Sequence, residues 1–214
     1  DVVQDSTHVL SDGIATNNGG FATLGSNIVV ENQLGIIHRA IFTTYDDKGG
    51  VQIAKDIYLA DSTRLLSTSE LVQVENGSFV LSANLDETDL SACIVALDGS
   101  TAEPIWSRRM ADEFQLKVSL SEMPGNEVIA GSTHLQEGLS IWLTRINATN
   151  GSDIWAKEFV AIDDLSEDVP ADLFDLHVST IDSSIIMTGQ SVVEGGTILG
   201  YHTTKMDRDF HSKL

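Results

Sequence analysis

The chain has 214 residues, with 12 Lys plus Arg against 32 Asp plus Glu and a formal net charge of −20. That balance excludes nucleic acid as a partner, because neutralising phosphates takes clustered Lys and Arg. A hydrophobic share of 42% with three prolines excludes disorder, and no apolar run approaches the roughly 18–20 residues of a membrane-spanning helix.

Four similar units follow one another. In the first, a strand near His8 leads to the turn cluster Asn17-Asn18-Gly19-Gly20 and a second strand from Phe21 to Ser26. The second unit repeats this with a strand near Leu71, the turn Glu75-Asn76-Gly77 and the run Phe79 to Asn84. In the third, Phe114 to Ser119 is apolar at every second position, Pro124-Gly125-Asn126 turns the chain, and Val128 to Thr133 returns. The fourth aligns Phe174 to Ser179 with that third segment, then turns at Asp182-Ser183 into Ile185 to Gln190. Period two marks strands with one buried face, and the Asn, Asp and Gly clusters are turn formers. A third strand and an anchor strand complete each unit, as in Ile141 to Ile146 followed by Asp153 to Phe159.

The anchors recur as Ile53-Ala54-Lys55, Trp106-Ser107-Arg108, Trp155-Ala156-Lys157 and His211-Ser212-Lys213, at intervals of 53, 49 and 56 residues. A period in that range marks stacked supersecondary units that bury faces against one another. The predicted fold is all-β: a β-propeller of four-stranded antiparallel blades at about 1–59, 60–111, 112–160 and 161–214. A two-sheet sandwich is the alternative, although it does not require the recurring anchor. Little or no helix is expected. The single cysteine, Cys93, cannot support a disulfide framework or a multi-cysteine metal site, and it aligns with Ile41, Trp142 and His202 as a packed strand residue.

The stretch Ala96 to Trp106 resembles the A-x-D-x-x-T-G-x-x-x-W repeat of pyrroloquinoline-quinone-type propellers, matching at Ala96, Asp98, Thr101 and Trp106, with Ala102 in the glycine's place. Arg145 to Trp155 matches at Gly151 and Trp155, with Asn147 in place of the aspartate. Asn126 to Thr133 is similar to repeats of bacterial surface propellers. The resemblance implies rings of seven or eight blades, so the four units here are expected to be part of a larger propeller or half of one completed by a second copy. Trp106 and Trp155 are structural anchors in this reading, packed between blades.

In a four-stranded meander the loop after the second strand and the connection to the next unit share one end. That end holds Asp86, Glu87, Asp89, Glu137, Asp163, Asp164 and Glu194, an acidic face expected to receive a cationic or neutral protein or glycan partner. The other end holds three N-x-S/T sequons, at Asn76, Asn147 and Asn150, as possible glycosylation sites. No nucleophile elbow, zinc helix motif or phosphate loop occurs, and the six histidines lack metal-ligand spacing, so no catalytic residue, metal or cofactor is assigned. The function read from the sequence is a non-enzymatic binding scaffold, secreted, periplasmic or at the cell surface. The alternatives are a quinoprotein-like dehydrogenase or polysaccharide-active enzyme with its catalytic groups elsewhere, and a structural module of a repetitive surface protein. A start at Asp1 without Met or leader suggests a processed or excised fragment.

Overall fold

The computed structural model describes residues 7–31, 35–59, 65–85, 92–110, 118–134, 140–160, 172–179, 181–193 and 197–206. Among them there is no helix, and every strand pair is an antiparallel neighbour in sequence. The first sheet is β1 (Thr7–Ala15), β2 (Phe21–Glu31), β3 (Gly35–Tyr45) and β4 (Val51–Ile57). The second is β5 (Leu65–Gln73), β6 (Phe79–Leu85), β7 (Ala92–Leu97) and β8 (Pro104–Arg109). The third is β9 (Ser119–Met123), β10 (Glu127–His134), β11 (Ser140–Asn147) and β12 (Asp153–Val160). The fourth comprises β13 (Asp172–Val178), β14 (Ile185–Val193) and β15 (Thr197–Met206). Its expected outer strand, 210–214, lies outside the described residues.

The alternation of side chains along each strand divides the core into three layers, one between each pair of consecutive sheets. Ala22, Leu24, Ala40 and Phe42 of the first sheet meet Phe79, Leu81, Ala83, Val95 and Leu97 of the second. The opposite face of the second sheet, Val80, Ile94 and Ala96, packs on Val118, Leu120 and Val128 of the third. Ile129, Ile141 and Leu143 then meet Leu176, Ile185 and Met187 of the fourth. The second sheet is covered on both sides, so every residue of β6 and β7 is buried. Cys93 lies in the first layer, and the pairs Gly25–Ile41, Ala83–Cys93, Ser132–Trp142 and Gly189–His202 place it in register with the three residues the sequence aligned to it.

The first strands adjoin in series, β1 with β5, β5 with β9 and β9 with β13. This is the stacking of propeller blades, each sheet standing on the next with its first strand innermost. One register differs from the sequence alignment. The β9–β10 hairpin pairs Met123 with Glu127, which puts Leu120 at the level of Leu71 and Leu176, whereas Phe114 aligned with Phe174 would put Leu116 there. A shift of four residues keeps the same side chains on the same face, so period two alone cannot detect it.

Candidate functional site

The first strands converge on one cavity of about 510 Å³, lined by Ser11 and Asp12 of β1, Ser69 to Val72 of β5, Leu120 and Ser121 of β9, and Asp175 to His177 of β13. In three of these strands the ladder register shifts just ahead of or at an acidic residue: between Leu10 and Asp12, between Thr68 and Leu71, and between Leu173 and Asp175. Such bulges re-aim side chains that a regular strand would leave on its faces. Here they help bring Asp12, Glu70 and Asp175 to one level. Ser119 stands at that level in β9, without a bulge.

The acids are used as locks between sheets. Asp12 Oδ2 accepts the N–H of Leu71 in the second sheet at 2.8 Å, and its Oδ1 accepts that of Gly13 at 2.7 Å. Glu70 Oε2 accepts the N–H of Leu120 in the third sheet at 2.6 Å, and its Oε1 accepts the Ser119 hydroxyl at 3.1 Å. Serine is too short to repeat this reach at the third step. Instead Ser121 Oγ accepts the N–H of Val178 at 2.9 Å, while Leu176 donates to its own neighbour Asp175 Oδ1 at 2.8 Å. Each lock ties a first-strand N–H to a side chain of the preceding sheet, at the bulge for Leu71 and in regular strand for Leu120 and Val178, where a buried donor without an acceptor would be costly. Ser11 and Thr68 add a hydroxyl pair at 2.8 Å between β1 and β5.

The outer strands are clamped by the repeated anchors. Lys55 pairs with Glu103 of the next sheet and Arg108 with Asp153 of the next. Partial burial pushes the Asp153 carboxyl up, but bonds from Arg108 and Thr144 outweigh it and hold the group below the usual carboxylate range. Trp106 is half-buried, packs on the layer between the second and third sheets, and donates Nε1–H to the carbonyl of Ala148 at 2.7 Å. Trp155 is half-buried against the next layer.

At the turn end, Asp98 Oδ1 accepts N–H and hydroxyl bonds from Ser100 and Thr101 at 2.6–3.0 Å, which lower its pKa to about 2. Asn76, Asn147 and Asn150 close the corresponding turns by accepting the N–H groups of Ser78, Thr149 and Ser152. Asn76 and Asn150 are exposed and Asn147 is half-buried. The acidic residues Asp86, Glu87, Asp89, Glu137, Asp163, Asp164 and Glu194 all lie outside the described residues. What the sequence did not reveal was the axial set Asp12, Glu70 and Asp175. The only available signal was an acid recurring just before the second half of three of the four first strands, and bulges of different length blur that recurrence.

No protein-family model matches the chain, and no curated protein does. Solved structures do. A protein of unknown function from Dyadobacter fermentans superposes with a TM-score of 0.61 at 17% identity, over 89% of this chain and 50% of that one. A GH43 β-1,3-galactosidase bound to galactodeoxynojirimycin gives 0.56 at 7% identity, over 96% and 74%. The quinohemoprotein alcohol dehydrogenase of Comamonas testosteroni gives 0.51 at 13% identity, over 97% and 36%. These likenesses are of fold. The chain spans half the length of the first of these proteins and about a third of the last.

Proposed function

We propose that the chain is a segment of a propeller that binds an oligosaccharide, neutral or cationic, over its axial cavity, and that it acts by binding rather than by covalent catalysis. The observation that carries this reading is the use of the cavity's acids. Asp12 and Glu70 are committed to backbone N–H groups of neighbouring sheets, so they fix the walls instead of moving protons. The remaining polar lining, with Ser69 on β5 and the exposed His177 on β13, offers donors and acceptors suited to sugar hydroxyls.

The net charge of −20 favours a cationic or neutral ligand over an anionic one. In this reading Asp86, Glu87, Asp89, Glu137, Asp163, Asp164 and Glu194 rim the binding face, and the four sheets belong to a larger ring. The proposed location is outside the cytoplasm, which the exposed sequon residues Asn76 and Asn150 support. Calorimetric titration with a glucosamine oligomer, a neutral glucose oligomer and a uronic acid oligomer tests the reading. The glucosamine oligomer should bind tightest and weaken as salt rises, and His177→Ala should reduce the heat for both it and the neutral oligomer. No heat with either, or equal affinity for the uronate, overturns the proposal.

A further inference from the structure

The two ends of the stack carry matching, unfinished surfaces. Phe79, Val128 and Ile185 occupy equivalent positions at the start of the second strand of their sheets, and the preceding sheet buries each to 2% exposure or less. Phe21 holds the same position in the first sheet and is 41% exposed, stacked on Tyr45 with ring centroids 4.3 Å apart. Leu10 and Val51 are also exposed, and a groove of about 260 Å³ runs along Val9, Ile41 and Tyr45.

At the far end, Asp175 repeats the arrangement of Asp12. Each gives Oδ1 to the N–H of the residue that follows it. Asp12 Oδ2 goes on to take Leu71 N–H of the next sheet, whereas Asp175 Oδ2 has no partner among the described residues. The fourth sheet thus presents an acceptor in the place where the first and second sheets hold the next first strand.

We propose that a second copy of this chain docks head to tail, the outer face of its first sheet against the outer face of the fourth. The same contact made reciprocally closes two sets of four sheets into one ring of eight. The inference rests on the propeller reading above. A second copy is favoured by how the end faces are composed. Thr23 and Thr43 lie at the centre of the first, and Thr188 and Thr203 at the centre of the last. Inside the stack, the matching contact sets Leu24 and Phe42 against Leu81 and Val95. Central hydroxyls suit faces that meet as separately folded units, and because every internal layer joins the trailing face of one sheet to the leading face of the next, a second copy carries the complement of each open face.

Sedimentation of the 214-residue chain decides the matter. The expected species has twice the mass of 23.1 kDa, about 46 kDa. Phe21→Glu and Thr188→Arg, at opposite ends, should each weaken self-association by roughly thirtyfold or more while the circular dichroism spectrum stays that of the folded β-sheet protein. Mixing the two variants should restore dimers, because such a pair keeps one unaltered contact. Asp175→Asn should weaken the dimer as well. A chain that stays monomeric at every concentration, or a dimer that Thr188→Arg leaves intact, overturns the proposal. A monomer that still binds the glucosamine oligomer overturns only the docking, and a dimer that binds no oligomer overturns only the binding reading.

Discussion

The indole ring of Trp106 lies against Gly151 of the following sheet so closely that a β-carbon on residue 151 would sit 2.8 Å from Cδ2 and 2.9 Å from Cε3. Gly151 is also in the left-handed region, at φ 74°. The glycine of the repeat motif therefore serves two needs, a backbone conformation and a seat for the preceding sheet's tryptophan. Ala102 holds the equivalent place one sheet earlier, at φ 55°. There the preceding anchor is Ile53, a smaller side chain packed on the layer that contains Ala102.

Gly151→Ala should therefore destabilise the protein by about 2–3 kcal/mol, through strain at positive φ and displacement of the ring. In a Trp106→Ile background the same substitution should cost less, because the clash is gone and only the backbone term remains. Urea denaturation of the four proteins gives the coupling. Equal costs in both backgrounds would show that Trp106 does not rest on residue 151.

Trp106→Phe keeps most of the apolar contact and loses the bond to Ala148, so a loss of about 1 kcal/mol is expected. Trp106→Ala should lose about 2–3 kcal/mol, below the usual range for a large aromatic because the residue is only half-buried. Denaturant midpoints of the two variants check the order.

Glu70→Ala removes the acceptor for Leu120 N–H and the Ser119 hydroxyl, and about 2 kcal/mol should be lost. Glu70→Gln should lose less, since its amide oxygen still accepts one bond. Amide hydrogen exchange at Leu120 is the direct readout: protection should fall in the Ala variant while Leu71, held by Asp12, changes little.

Two carboxyls have opposite effects with pH. The folded pKa of Asp98, about 2, lies below its ordinary 3.8, so its stabilisation is complete above about pH 4 and is lost as pH falls toward 2. Asp98→Asn should flatten the acid limb of the stability curve in that window. Burial, and then the charge of Glu75, raise the pKa of Glu122 above 4.5. Its contribution is therefore greatest at acid pH and declines as pH rises from about 4.5 upward. Glu122→Gln should raise the melting temperature at neutral pH and have little effect at pH 4, as followed by thermal melts at both values.

The sequence showed the sheets plainly because turns such as Asn17 to Gly20 and anchors such as Trp106 and Trp155 recur beside period-two runs. It showed the anchors as packing residues but not as clamps, since the partners of Lys55 and Arg108 lie one sheet further on, some 48 and 45 residues away. The axial acids were hidden for a different reason. A bulge inserts residues unequally, as at Ser11 and at Ser69–Glu70, so Asp12, Glu70, Ser119 and Asp175 line up in space without lining up at a constant spacing.

The forward reach of those acids gives the stack a direction. Removing a sheet from the back strands a carboxylate, which water solvates readily. Removing one from the front strands a backbone N–H of the next first strand, which must find another acceptor. Gly13 has found one in its own neighbour, Asp12, whereas Leu71 and Leu120 rely on the sheet before them. A propeller of this design therefore tolerates shortening from its last unit better than from its first. Gene duplication that adds units behind an existing one starts with a ready acceptor, while units added in front must bring their own.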